Sequence, residues 1–204
     1  MKHIVACVPF AREFVYCKFF TSWTEMLYYS KNKYNLSLLV TYGPYIDMNR
    51  ECLVESAKEM EPDYILFLDD DQTYPKDTPE ILLNHNKQVV GGVTPIKLTG
   101  QPMLWDYVEN GEIKLWLDFN GNSGLTKVDG MGMGGVMIDY SVFDKLEPPY
   151  FKIQDIKKAG SDTSYRGEDI TFYKKCMDAG IDVWADLDLR FGHLSIREIR
   201  LARN

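Results

Sequence analysis

The chain reads as an α/β domain with a parallel, Rossmann-like first half and a mixed-sheet second half. Two observations lead there. Up to Pro95, apolar runs of strand length alternate with segments whose apolar residues recur at helical spacing. Such a β-α-β-α-β-α-β series implies a parallel sheet with right-handed crossovers. Beyond Pro95 the texture shifts to short strand-like runs broken by Asn-Gly and Gly-rich stretches. With 204 residues, 45% of them hydrophobic, the chain can bury one sizeable core. Neither an internal repeat nor a linker divides it, so one domain over 1–204 is expected, with halves 1–95 and 96–204.

The run "HIVACVP" (3–9) is continuously apolar, as in a strand buried on both faces. From Arg12 to Ser30, Val15, Phe19, Trp23 and Met26 mark one helical face. "NLSLLVTY" (35–42) is the second strand, closed by Gly43-Pro44. Asp47 is placed to cap a helix whose inner side carries Leu53, Ala57 and Met60 and which ends near Pro62. "DYILFLDDD" is the third strand. A helix over 78–87 follows, with Pro79 in its first turn, and then a strand at 88–94. In the second half, two strands flanking Asn110-Gly111 form a hairpin, "VMID" is a short strand, and 141–146 is a short helix. A polar loop over 150–167 leads to a helix from Asp169 to Ala179, stopped by Gly180, and "IDVWAD" and "LRFGH" are late strands.

The net charge of −7 argues against nucleic acid as a partner, since indiscriminate binding needs a basic face. Any phosphate-bearing ligand must therefore meet local positive charge. Cys7, Cys17, Cys52 and Cys176 are scattered without a C-x-x-C pair, which fits reduced thiols in a cytoplasmic protein. No window approaches the ~18 apolar residues of a membrane span.

The informative feature is "YILFLDDDQTYP" (64–75), where an apolar strand runs into Asp69, Asp70 and Asp71. Three carboxylates at a strand end require water, basic side chains or a metal ion. On an extended segment Asp69 and Asp71 share one side and Asp70 takes the other, so the first and third can converge on one hard divalent cation, Mg2+ or Mn2+. "DDDQT" also fits the D-x-D-x-T nucleophile loop of haloacid dehalogenase-like phosphatases, although that loop normally follows the first strand. A second acidic pair, Glu168-Asp169, opens a helix, where carboxylates suit the dipole and can cap free N–H groups.

Taken together, "FLDDDQTYP" and "GEDITFYKKCMDAGIDV" resemble the GT-A-fold glycosyltransferases, most of all family-2-type enzymes and their small viral or phage-encoded relatives. "DMNRECLVESA" is similar to that family's helix before the D-x-D strand, and "GMGGVMIDYSVFDKL" (130–146) to its Gly-rich acceptor-side segment. The four motifs occur in the family's order across nearly the whole chain.

The resemblance implies transfer of a sugar from a nucleotide-sugar donor, UDP- or GDP-linked, to a hydroxyl of a glycan, lipid-linked or protein acceptor, with inversion. It implies that Asp71 coordinates Mn2+ or Mg2+ on the diphosphate. Asp69 and Asp70 hold ribose or support the metal, an assignment the triplet leaves open because it offers two registers. Asp169 is implied as catalytic base, with Glu168 second. His193 is implied as a further metal ligand, its nitrogen favouring Mn2+. Arg50 is expected at the nucleotide or diphosphate, Pro9 and Arg12 at base or ribose, Gly92 near the donor sugar, and Gly134 and Gly135 on the acceptor side. A catalytically degenerate sugar-nucleotide-binding module remains the alternative from a different class. The tail carries Arg190, Arg197, Arg200 and Arg203 among Ile196, Ile199 and Leu201. Docking on the body is the first expectation for it, and peripheral contact with anionic lipid the second.

Overall fold

The computed structural model of the chain describes residues 1–108, 111–119 and 121–195. The first half runs β1 (His3–Phe10), α1 (Cys17–Ser30), β2 (Asn35–Tyr42), α2 (Ile46–Lys58), β3 (Tyr64–Phe67), β4 (Gln72–Thr73), α3 (Thr78–Asn84) and β5 (Val89–Val93). The second half runs β6 (Leu104–Tyr107), β7 (Ile113–Leu115), β8 (Leu125–Val128), β9 (Gly130–Met131), β10 (Val136–Asp139), β11 (Gln154–Lys157), β12 (Ser164–Gly167), α4 (Asp169–Asp178), β13 (Val183–Arg190) and β14 (Gly192–His193).

A seven-stranded mixed sheet in the order β2-β1-β3-β10-β5-β13-β8 forms the centre. β1 pairs in parallel with both β2 and β3, and β13 with β5. β10 lies antiparallel between β3 and β5, so the parallel series expected from the first half is split by a strand from the second. A sequence pattern gives strand direction through its crossovers but not the neighbour that a later segment supplies.

The inner strands β1, β3, β5 and β10 are largely apolar because the sheet is covered on both faces there. Val5 and Cys7 of β1 point into a core with Leu53 and Ala57 of α2 and Phe172 and Cys176 of α4. Ile4, Ala6 and Val8 point the other way, against Phe19, Trp23 and Met26 of α1 and Leu82 of α3. Burial pushes the Cys176 thiol up to about 12, and all four cysteines are free. No helix among the described residues is long and apolar enough to cross a membrane.

Several local expectations are corrected. α2 begins at Ile46 with Asp47 inside its first turn, and its capping position is Tyr45, without a side-chain cap. The polar stretch 150–167 contains the antiparallel pair β11–β12. The segment expected as a helix at 141–146 shows only a single 3-10 turn, Tyr140–Val142. The late strands are one long strand, β13, with an irregularity between Asp186 and Arg190, followed by the short β14. The hairpin around Asn110-Gly111 is present as β6–β7, its turn lying partly outside the described residues. Of the basic tail, 196–204 also lie outside them, while Arg190 bonds the Leu187 carbonyl and sits 4.6 Å from the Phe119 ring.

Phe191 shows why two glycines occur where they do. A Cβ on Gly135, whose φ is +85°, would come within 2.0 Å of the Phe191 ring, and one on Gly92 within 2.4 Å. The ring thus fills the space both glycines leave, and it packs on Tyr74 at a centroid distance of 4.9 Å. Gly135→Ala adds a strained φ and an overpacked contact. It is expected to lower unfolding free energy by about 2–4 kcal/mol in urea titrations, and a loss under about 0.5 kcal/mol would contradict this packing.

Candidate functional site

β1, β3, β5 and β13 run in one direction, so their carboxyl ends share one edge of the sheet, and β10 starts there. This is the edge at which open α/β sheets hold ligands. Pro9 and Arg12 follow or close β1, Asp69 to Asp71 follow β3, Thr94 follows β5 and His193 follows β13. Together with Arg50 and the pair Glu168-Asp169 they line a cavity of about 340 Å³.

Arg50 is the buried centre of one side, only 3% exposed. Its Nε donates to Glu168 Oε1 at 2.9 Å and its Nη2 to Asp69 Oδ1 at 2.8 Å. Burial opposes its charge, but the carboxylates of Asp69 and Glu168 more than offset that and hold the guanidinium protonated. The second oxygen of Asp69 accepts from Gln72 Nε2 at 3.0 Å. Gln72 is oriented in turn by the hydroxyls of Tyr74 and Thr94. A Cβ on Gly134 would stand 2.4 Å from Gln72 Nε2 and 2.6 Å from Asp69 Oδ2, so glycine there leaves room for this bond. Burial raises the Asp69 carboxyl, with Arg50 opposing.

Glu168 occupies the capping position of α4 but makes no side-chain cap, because its carboxylate is turned to Arg50. Asp169, the first helical residue, accepts from the Ile170 N–H at 2.9 Å and from the Tyr165 hydroxyl at 3.1 Å. Burial, then the neighbouring Glu168 charge, raises the Asp169 carboxyl well above the ordinary range, with Arg50 opposing.

The other two aspartates face a different set of cations. The expected alternation of side chains along 69–71 does not hold, because β3 ends at Phe67 and the chain turns, with Gln72 N–H bonded to the Asp69 carbonyl. Arg12 Nη2 lies 3.7 Å from Asp70 Oδ1 and 3.5 Å from Asp71 Oδ2, and Lys97 Nζ lies 2.5 Å from Asp71 Oδ2. Asp70 Oδ2 is buried without a partner, and burial pushes that carboxyl up to about 6, against Arg12. Asp71 is half-buried, which raises its carboxyl, yet His193 and Lys97 hold it well below the usual range.

His193 Nδ1 lies 2.7 Å from the Pro95 carbonyl oxygen, which can only accept, so Nδ1 carries the proton. In the neutral ring Nε2 then presents its lone pair, and it stands 3.5 Å from Asp71 Oδ1. A proton on Nε2 would satisfy Asp71, and in the neutral ring a cation between the two acceptors would do the same. A carbonyl on the far nitrogen is also how metal-ligating histidines are oriented. One carboxylate and one imidazole fit Mn2+ or Mg2+ as donors. No cluster of three or more His, Cys, Asp or Glu among the described residues could hold an ion, so such an ion would complete its shell with ligand oxygens and water.

The structure thus brings Pro9, Arg12, Arg50, the three aspartates, Glu168, Asp169 and His193 to one cavity. Gly92 and Gly135 face the Phe191 ring instead, and neither lines this cavity. Gln72, Thr94, Lys97 and Tyr165 were not legible as site residues. For Lys97 a signal existed, since it closely follows the carboxyl end of a parallel strand. For Tyr165 there was none, because its position depends on the β11–β12 pair inside a stretch that reads as loop.

Replacing Arg50 with Met leaves the half-buried Asp69 and the buried Glu168 without their counter-charge. Arg50→Met is expected to cost about 3–5 kcal/mol of unfolding free energy at pH 7. A urea-measured loss below about 1 kcal/mol would show that these two carboxylates do not depend on the guanidinium.

No family model matches the sequence, and no curated protein matches it. Among solved structures, the crystal structure of A197 from STIV is similar over 100% of this chain and 99% of that chain, with a TM-score of 0.60 and 17% identity. Identity that low speaks to the fold alone. The chain therefore has an α/β architecture, built on a large sheet of parallel and antiparallel strands, that is shared over its whole length with A197.

Proposed function

We propose that the chain is a metal-dependent glycosyltransferase of the GT-A type, moving a sugar from a nucleoside-diphosphate donor to an acceptor hydroxyl. The observation that carries this reading is the meeting, in one cavity, of the Asp71–His193 pair with the buried acid Asp169. Asp71 and His193 would hold a divalent cation, which would supply positive charge where the departing diphosphate gains negative charge. Arg12 and Lys97 already flank Asp71 and add to that field, so a diphosphate finds donors on several sides.

Asp169 is placed to act as base. An acceptor hydroxyl is a weak nucleophile at neutral pH, and a positioned carboxylate that takes its proton as the C1–O bond forms contributes roughly 10²–10⁴-fold. The raised carboxyl of Asp169 is a stronger base than a free aspartate, and its bonds to Tyr165 and Ile170 fix its direction. The cavity aligns donor and acceptor, which is the protein's remaining task. The phosphatase use of the triplet is less well supported. Asp69 would be its nucleophile, and it is ion-paired to the buried Arg50 guanidinium, which weakens it as a nucleophile, whereas Asp169 accepts only from the neutral Tyr165 hydroxyl and Ile170 N–H.

Thermal-shift measurements with UDP-, GDP-, CMP- and dTDP-sugars, with and without Mn2+, test the reading at its first step, because a ligand that binds only the folded state raises the melting temperature. At least one donor is expected to stabilise the protein more with Mn2+ than without. Asp71→Asn is expected to abolish the Mn2+-dependent part. Asp169→Asn should keep donor binding and lose transfer by about 10²-fold or more. Since the base works only when deprotonated, wild-type kcat/KM should rise with pH through the raised pKa of Asp169 and then level. Near-normal turnover in Asp169→Asn, or the same rising limb, would refute the base assignment.

A further inference from the structure

The outer edge of the central sheet is β2, which pairs with β1 alone among the described residues. Edge strands are normally blunted by charges, prolines or shortness. β2 has none of these: it is eight residues long, "NLSLLVTY", with no charged residue. Leu38, Val40 and Tyr42 on it are 45%, 48% and 63% exposed. Nothing in the sheet's own packing requires apolar residues at exposed positions there.

The direction of its free backbone groups follows from its inner bonds. The N–H of Asn35 donates inward to Lys2 O, and that of Gly43 inward to Phe10 O. Groups alternate along a strand, so Leu36, Leu38, Val40 and Tyr42 direct their N–H and C=O outward. These four also share one face, the one on which Leu36 packs with α1 and α3.

The geometry points to a second copy of this chain as the occupant of that edge, the two β2 strands running antiparallel about a two-fold axis at Leu39. In this register Leu38 lies opposite the other copy's Val40, and Leu36 opposite the other copy's Tyr42. All the outward groups then pair at once, as the hydrogen-bonded pairs of an antiparallel ladder, and every such pair is apolar on both sides. On the opposite face Ser37 meets the other copy's Thr41. The strand is thus complementary to itself, which is what a two-fold interface demands.

Two further observations single out a second copy among partners for this edge. Beside Leu36 lies a cavity of about 430 Å³, walled by Leu27 and Tyr28 of α1 and by Tyr34. In the proposed register the exposed ring of the other copy's Tyr42 arrives at Leu36, at that cavity, and the exchange is reciprocal. Charge agrees as well. Lys31 lines the same cavity as Leu36, whereas Glu13 lines the cleft that holds Tyr42, where the other charged residue, Arg12, is already paired with Asp70 and Asp71. Antiparallel docking brings Lys31 of each copy toward Glu13 of the other, and a parallel arrangement brings like charges together. The edge lies apart from the acidic residues of the cavity, so the inference stands whether or not the transferase reading does.

The test is the oligomeric state in solution. Sedimentation equilibrium of the full chain is expected to give twice the 23.6 kDa chain mass. Val40→Lys, at a position exposed in the single chain, should retain the wild-type circular dichroism spectrum and sediment as a monomer. Register is read separately by Leu39→Cys in a Cys17→Ser, Cys52→Ser background. Residues on the axis form a non-hydrogen-bonded pair with Cα atoms about 4.5 Å apart, within disulfide range, so this variant should crosslink on mild oxidation. Leu38→Cys, offset from the axis, should crosslink at least about tenfold more slowly. A wild-type chain still monomeric at about 100 µM, where even a Kd of about 10 µM gives mostly dimer, overturns the proposal. So does a dimer that Val40→Lys leaves intact, or open-ended association in place of a closed pair.

Discussion

The site depends on one buried guanidinium. Arg50 comes from α2, Asp69 from the turn after β3, and Glu168 from the start of α4, and the three meet only because the sheet brings these elements to one edge. Five carboxylates crowd the cavity, and without internal cations their repulsion and desolvation would open it. Arg50 neutralises the innermost two and, in doing so, ties the first half of the chain to the second. Its ring contact with Phe67, 5.3 Å to the centroid, anchors the same charge to the end of β3.

That arrangement separates the acidic triplet into two roles. Asp69 is spent on structure: both oxygens are satisfied by Arg50 and Gln72, and its backbone N–H approaches the Tyr74 hydroxyl at 2.7 Å. Asp70 and Asp71 face cations that reach in from the rim. Arg12 and Lys97 are 25% and 38% exposed at the side chain, against 3% for Arg50. Rim cations of this kind can exchange partners at little cost when a ligand arrives, whereas the inner pair cannot. The two registers that the triplet offers as a linear sequence are therefore unequal in three dimensions, and Asp71, opposite His193, is the one open to exchange.

Much of the scaffold was legible because its signals are local. β1 and β2 announce themselves as apolar runs, and Gly43-Pro44 and Gly180 mark ends that the structure respects. The triplet was legible as a site because carboxylates at the end of a core strand need an explanation. What was not legible is relational. The insertion of β10 between β3 and β5 depends on pairing across dozens of residues, and the β11–β12 pair hides in polar sequence whose strands are mostly exposed. Glu168 read as a helix cap, and its partner proved to be an arginine 118 positions away. Gly92 and Gly135 carried a real steric message, but the group that required them was a phenylalanine ring distant in sequence and adjacent in the fold.

β14 pairs with β4, setting His193 against Gln72, and Leu194 N–H bonds the Asp71 carbonyl. The strand bearing the imidazole is thereby stitched to the loop bearing the aspartates. Ser195 is exposed and lies two residues beyond His193. A fluorophore on Ser195→Cys, in a chain without the exposed Cys17 and Cys52, would hang two residues from the imidazole and give an optical report of occupancy without altering any residue that lines the chamber.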